Sequence, residues 1–316
     1  MNSKRKIIVI AGPTASGKTG WGVSIAKKFN GEIISADSRQ VYKGLNIGTS
    51  KDIGEYGCIK YHLIDVKSPG EEFTLFDWLK LAREAVEDIF SRGKTPIIVG
   101  GTGLYIQALV EGFELEKAAD RHPELVEGSV SASGSRFRNK FGMTKRYTRE
   151  ELGDKSLEEL QEIVLKLKTL NLKLDLNNPR RLIRAIERAQ SGEVITRKKP
   201  DFEVLQIAID LPREVLYKRI DQGVEEWFEE GFIEEVQRLI DAGVDVKWLE
   251  KIGLEYRILT KYLIEKSSDF DEMKQRMKFA IHAYARRQLT WFRRIPEIIW
   301  CKDLKSAEKE IVNFLN

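Results

Sequence analysis

A chain of 316 residues, 42% hydrophobic and 32% charged, can build a full core and has room for two domains or for one domain with a large insertion. This composition excludes a disordered or fibrous protein, and no apolar run approaches the roughly 18 residues that a membrane span needs. A net charge of +4 does not by itself imply nucleic-acid binding, and two distant cysteines without a CxxC pattern, Cys58 and Cys301, suggest neither a zinc site nor a disulfide framework.

Lys4-Arg5-Lys6 followed by Ile7 to Ala11 has the outline of a signal peptide, but the apolar run is too short and continues straight into a glycine loop. It reads as the first buried strand of a cytoplasmic protein. A helix is predicted from the loop to about Phe29, a second strand over Glu32 to Ala36, and a helix over Phe73 to Arg92 with Phe76, Leu79, Ala82 and Val86 near one face. Pro96 to Val99 is a third buried strand, and Leu104 to Val110 begins another helix. This alternation predicts an α/β domain around a mostly parallel sheet. From about Phe113 to Pro200 no buried strand is evident, whereas Leu157 to Leu170 and Pro179 to Gln190 read as helices, the second behind an Asn178-Pro179 cap. Val204 to Ile209 is again a strand. Helices follow over Pro212 to Glu230, Phe232 to Ala242, Leu254 to Ile264 and Met273 to Arg294. The expected plan is an α/β core from 1–113 and 203–316 with a helical insertion at 114–202. Within the insertion, the serine-, glycine- and arginine-rich stretch 127–141 is expected to be a flexible surface loop.

Gly12-Pro13-Thr14-Ala15-Ser16-Gly17-Lys18-Thr19 fits the phosphate-loop pattern G-x-x-x-x-G-K-[ST], with a buried strand before it and a helix after it. The glycines let successive amide N–H groups face an anion, and the helix adds its positive end. Lys18 would neutralise phosphate oxygens, and the Thr19 hydroxyl is placed to bind Mg²⁺. The loop does not say which molecule carries the phosphates, and most such loops serve ATP or GTP. In ordinary ATPases a buried strand ends in a carboxylate that supports Mg²⁺. Here Ile97-Ile98-Val99 ends instead in Gly100-Gly101-Thr102-Gly103, and the acid is Asp37, after the other strand.

Taken together, GPTASGKT, ISADSRQVYKGLNIGTSK, GGTGLY, NPRRLIRAIE and the terminal RRQLTWFR, in this order and spacing, resemble the tRNA dimethylallyltransferases across nearly the whole chain. The resemblance implies a P-loop-kinase-like core with a helical insertion and a helical C-terminal section. It implies dimethylallyl diphosphate as donor, Mg²⁺ as cofactor, and as acceptor the N6 amine of the adenosine just 3′ of the anticodon in tRNA. By motif, Asp37 would be the general base, the lesser alternative being that it caps the next turn or holds magnesium. Thr102 would contact the departing diphosphate, and could also be a helix N-cap. Ser38, Arg39 and Gln40 fall where the family holds the target nucleotide, and Arg180, Arg181, Leu182, Ile183 and Arg184 fall in its tRNA-binding helix. The chain departs from the family in having Arg121-His122 between Ala119-Asp120 and Pro123-Glu124, and in Gly253-Leu254-Glu255-Tyr256-Arg257, a variant of a Gly-Tyr-Lys segment.

Basic residues cluster where an RNA partner would need them. Arg180, Arg184 and Arg188 are spaced along one helical face, and Lys274 to Arg294 holds seven Lys or Arg and no acid, interleaved with Tyr284, Trp291 and Phe292. The aromatics could serve as stacking platforms, and a solvated face over a core stripe is the alternative. His62 and His282 are assigned no chemistry. An enzyme prenylating free AMP would share the first three motifs but would need neither basic helix. A small-molecule kinase would need an ATP-consuming acceptor reaction, and a non-catalytic RNA-binding NTPase switch is the third alternative. The protein is expected to act as a monomer, away from membranes.

Overall fold

Ile7 to Ala11 are all buried at the centre of a six-stranded sheet in which every pairing is parallel. The computed structural model describes residues 5–115, 147–167, 175–191, 196–265 and 269–316. The loop expected at 127–141 and the Ala119–Glu124 departure lie outside them. Strand β1 (Arg5–Ala11) lies between β4 (Thr95–Gly100) and β7 (Phe202–Ile209). Strand β2 (Gly31–Ser35) borders β4 and carries the two-residue β3 (Tyr61–His62), and β8 (Ile298–Cys301) closes the other edge beside β7. Each fully buried Ile or Val contributes about 1.5–3 kcal/mol, which explains why β1 and β4 were legible as continuous apolar runs; β2 buries Glu32 and Ser35 along with Ile33 and Ile34.

The order β3-β2-β4-β1-β7-β8 inserts β4 between β1 and β2. The carboxyl ends of β1, β4 and β2 are therefore neighbours, the place where open parallel sheets bind ligands. Helix α1 (Lys18–Lys28) leaves the loop after β1. Helix α2 (Leu75–Ser91) starts two residues later than its apolar pattern suggests. Thr74 and Asp77 form a capping box that fixes the first turn. Trp78 of α2 is fully buried, and its indole N–H donates to the Ser35 carbonyl at 2.9 Å, which pins α2 to the end of β2 just before Asp37. Helix α3 (Gly103–Val110) follows β4.

The chain divides into two compact units, Met1–Gly112 with Lys199–Asn316, and Phe113–Lys198. The sequence pattern had drawn the insertion at 114–202. The difference is a two-stranded antiparallel ribbon of β5 (Phe113–Glu114) and β6 (Thr196–Arg197), which takes Phe113 into the second unit. Two residues per strand are too few to show a period, so the ribbon was invisible in sequence. The second unit also contains α4 (Arg149–Gly153), α5 (Leu157–Lys166) and α6 (Pro179–Ser191), packed around Leu152, Leu160, Val164, Leu182 and Ile186.

In the first unit, α7 (Arg213–Glu229), α8 (Phe232–Asp241), α9 (Val246–Ile252), α10 (Leu254–Glu265) and α11 (Phe270–Phe292) share one core, which includes Phe232, Tyr256, Met273 and Met277. Helix α12 (Leu304–Leu315) buries Ala307 and Ile311 against the sheet core. No helix among the described residues is long and apolar enough to cross a membrane.

Candidate active site

Gly17 has φ 85°, a left-handed conformation that favours glycine, and it turns the chain from the loop into α1. Ala15 also lies at positive φ (60°). The Ser16 amide donates to the Pro13 carbonyl at 3.3 Å, and so does the Lys18 ammonium, at 3.3 Å. The Ser16 hydroxyl is buried without a hydrogen-bond partner. An orphaned buried donor inside a phosphate loop fits a bound anion that would satisfy it. Burial pushes the Lys18 ammonium below its ordinary range, opposed by the charge of Asp37. Thr14, Ala15, Gly17, Lys18 and Thr19 line a cavity of about 210 Å³. Gly12, Pro13 and Ser16 are not in its lining. Gly12 and Pro13 shape the turn from behind.

Asp37 and Gly100 line the same cavity from the ends of β2 and β4. A Cβ on Gly100 would lie 2.2 Å from the Ala36 carbonyl oxygen, so only glycine lets the two strand ends approach this closely. Asp37 does cap its own turn: Oδ1 accepts from the amides of Arg39 (2.9 Å) and Gln40 (3.4 Å). Its Oδ2 makes no hydrogen bond among the described residues and is left to act. The Thr102 hydroxyl does not cap α3. It accepts from the Ser38 amide at 3.3 Å, which directs its own proton elsewhere. Thr102 is not among the residues lining the cavity. The Gln40 side chain accepts from the Ser35 hydroxyl (3.2 Å) and donates to the Thr49 carbonyl (3.3 Å), which fixes the loop after Asp37.

Several site residues were missed or only weakly weighed in the sequence. Arg39 is bound by the Glu255 carboxylate, which is 1% exposed, and its Nε lies 3.7 Å from Asp37 Oδ1. Burial penalises the Arg39 charge, but Glu255 and Asp37 outweigh it and hold the guanidinium charged. Glu255 belongs to the Gly253–Arg257 departure, so the variant segment supplies a partner for Arg39. Buried Glu235 accepts from the amides of Asn46 (2.8 Å) and Ile47 (2.8 Å) and from the Tyr256 hydroxyl (2.7 Å), which anchors the loop below the cavity. Arg219 of α7 lines the cavity beside Lys18 and donates to the Ser16 carbonyl at 3.2 Å. Gln288 of α11 bridges two motifs: its side chain accepts from the Thr14 amide and donates to the Gly101 carbonyl, each at 2.9 Å. A buried carboxylate or amide on a helix gives no periodic signal, and only the fold brings these residues to the loop.

The basic helices need corrections. Leu182 was expected at an RNA surface but is fully buried in the second unit's core, and Ile183 packs against that core. The apolar pair faces inward because it forms the helix's core stripe. Arg180, Arg181 and Arg184 are exposed, with Arg181 3.6 Å from Asp175 and Arg184 3.5 Å from Glu187. In α11, Phe292 is fully buried and offers no ring, whereas Trp291 is partly buried and lies against Gly103. Tyr284 borders a cleft beside Arg39, and Lys274 and Lys278 pair with Glu225 at 3.0 and 2.5 Å. Arg286 and Arg287 are exposed.

A phosphate loop, the further cations Arg39 and Arg219, and the carboxylates Asp37 and Glu55 line one cavity at the carboxyl ends of a parallel sheet, the arrangement of a P-loop transferase. Residues 40–295 match the family model for IPP transferase, and the chain belongs to that family. It is 43% identical over 295 residues to tRNA dimethylallyltransferase 2 of Shewanella sediminis, covering 92% of this chain and 90% of the relative. The crystal structure of a tRNA isopentenylpyrophosphate transferase from Bacillus halodurans is similar with TM-score 0.67 at 32% identity, covering 99% of this chain and 96% of that one. A eukaryotic dimethylallyltransferase acting on tRNA is similar with TM-score 0.71 at 25% identity, over 95% of this chain and 75% of that one.

Proposed function

We propose that this protein transfers a dimethylallyl group from dimethylallyl diphosphate to the N6 amine of the adenosine 3′ of the anticodon in tRNA. The observation that carries the reading is Asp37, with a free Oδ2, in the same cavity as Lys18 and Arg219. The cavity therefore holds a base and phosphate-binding cations together. Lys18, Arg219 and the loop amides bind the diphosphate and stabilise the charge that develops as it leaves. The C–O bond between the allylic carbon and the diphosphate breaks, the N6–C bond forms, and Asp37 Oδ2 accepts the amine proton. The Thr102 hydroxyl accepts from the Ser38 amide and keeps its own proton to donate to the leaving diphosphate, although Thr102 is outside the cavity lining, and Ser38, Arg39 and Gln40 shape the edge that receives the adenine. The base must leave its stack to reach the cavity, and an anticodon-loop position costs less to unstack than a duplex one.

Magnesium fits this site. No cluster of three His, Cys, Asp or Glu exists among the described residues, and Mg²⁺ prefers phosphate oxygens and water with few protein oxygens. Thr19, which lines the cavity beside Lys18, would supply the protein ligand through its hydroxyl. When bound, the ion neutralises diphosphate charge. Exposed Arg180, Arg181 and Arg184 in the second unit and Arg286 and Arg287 in the first contact the RNA backbone. The basic helices are what favour tRNA over free AMP. We place the enzyme in the cytoplasm as a monomer.

The test is label transfer from radiolabelled dimethylallyl diphosphate, with Mg²⁺, to unmodified tRNA and in parallel to AMP. Label in tRNA only supports the reading. Label in AMP, or ATP consumption without label transfer, overturns it. Asp37→Ala is expected to abolish most turnover and leave tRNA affinity largely intact; near-normal turnover would remove Asp37 from the general-base role.

A further inference from the structure

The donor cavity has an unfilled neighbour. A second cavity, of about 480 Å³, shares Ser50, Gly223 and Trp227 with the first. Its lining differs in charge: it carries Asp52, Glu226 and Glu230, whereas Lys18 and Arg219 line only the first. The only cation in the second lining is Lys51. Its side chain is fully buried, and its ammonium is held by the Tyr42 carbonyl (2.8 Å) and by Asp65. Coulomb attraction therefore draws a diphosphate to the first cavity and repels it from the second. A donor bound by its diphosphate in the first cavity must accommodate its hydrocarbon chain along the remaining walls. The apolar part of the lining is Ala15, Tyr56, Val99, Ile220, Trp227 and Ile281, and of these only Trp227 also lines the second cavity.

The shared residues form the boundary. Trp227 and Gly223 lie one turn apart on the same face of α7. The Trp227 indole N–H donates to the Ser50 hydroxyl at 3.1 Å, and its ring packs edge-on to Phe232 at 5.9 Å. The ring is thus held in place at the boundary. Gly223 sits inside a 17-residue helix, where glycine weakens the helix relative to alanine. Nothing lies within 4 Å of a Cβ built there, so no neighbouring atom requires glycine. The missing side chain leaves room where the two cavities meet.

We propose that Trp227, fixed by Ser50, sets the length of prenyl chain the site accepts, and that Gly223 provides the space for the chain's end. The wall stops the chain at one isoprene unit, and the space beyond it is the second cavity. This rests on the reading above that the donor is a prenyl diphosphate.

The experiment measures kcat/KM with dimethylallyl and with geranyl diphosphate, with unmodified tRNA as acceptor and circular dichroism to check folding. Wild type is expected to use the shorter donor. Trp227→Ala should raise the geranyl-to-dimethylallyl ratio at least tenfold. Gly223→Leu, whose side chain enters open space, should raise KM for dimethylallyl diphosphate at least tenfold and leave KM for tRNA unchanged. A folded Trp227→Ala with an unaltered ratio overturns the proposal. If that variant does not fold, an unaltered donor KM in Gly223→Leu overturns it. A wild type that transfers no dimethylallyl to tRNA refutes the donor reading and the proposal with it; the other two results refute the proposal alone.

Discussion

Replacing Glu255 by Gln should affect both stability and chemistry. The carboxylate is 1% exposed and binds the Arg39 guanidinium, itself 14% exposed, so the substitution leaves a buried cation without its main partner. Removing one member of a buried pair costs about 3–5 kcal/mol. Asp37 remains, with Oδ1 3.7 Å from Arg39 Nε. At an effective dielectric of about 20 their attraction at this distance is roughly 4.5 kcal/mol before desolvation. That residual pairing argues for the lower end of the range, a loss of about 3 kcal/mol. The same relaxation draws Arg39 onto Asp37 and engages the carboxylate that must receive the amine proton, so the chemical step should slow by about 10–100-fold. Urea denaturation would read the first effect as a lower midpoint at unchanged slope. Single-turnover transfer at saturating tRNA would read the second. A stability loss below about 1 kcal/mol, or a wild-type single-turnover rate, would refute the argument that Glu255 keeps Arg39 from neutralising Asp37.

Gln288→Leu removes the acceptor for the Thr14 amide and the donor to the Gly101 carbonyl. Orphaning both should cost about 2–4 kcal/mol and raise KM for the diphosphate donor without weakening tRNA binding. Gln288→Glu keeps the acceptor and should recover part of the donor KM; identical donor KM in both variants and wild type would reduce Gln288 to packing. At the other end of β2, buried Glu32 accepts from Arg92 (2.7 Å) and lies 2.9 Å from His62 and 3.0 Å from Lys94. Burial alone would raise its pKa, but Arg92, His62 and Lys94 together hold it at about 2, below the ordinary 4.5. The folded-state value is depressed, so the stabilisation is fully present above about pH 4.5 and is lost as pH falls toward 2. The shift corresponds to roughly 3 kcal/mol, and partial exposure of Arg92 and Lys94 reduces this to about 2 kcal/mol. Glu32→Gln should therefore lie about 2 kcal/mol below wild type at pH 6 and converge with it only near pH 2 in denaturant titrations. A gap independent of pH would count against this assignment.

What the sequence revealed and what it hid follow from the range of each interaction. The phosphate loop was readable because its backbone geometry, with Gly17 at positive φ, constrains residue types within a few positions. Strands β1 and β4 were readable because burial on both faces leaves an unbroken apolar run. The edge strand β3 and the β5–β6 ribbon are too short for such a run, β8 (Ile298–Cys301) is an apolar run missed in the sequence, and their pairing is set by partners far along the chain. The site divides in the same way. Asp37, Lys18 and Thr19 sit on the motifs themselves, but Glu255 reaches Arg39 across 216 positions and Gln288 reaches Thr14 across 274. Phe292 shows the opposite error, because a basic, aromatic-rich run reads alike whether its rings face solvent or core, and only burial in the fold separates the cases. The motifs therefore name the groups that act, while the C-terminal helices hold them in place. Substitutions in α10 or α11 should accordingly move the catalytic step more than their distance along the chain suggests.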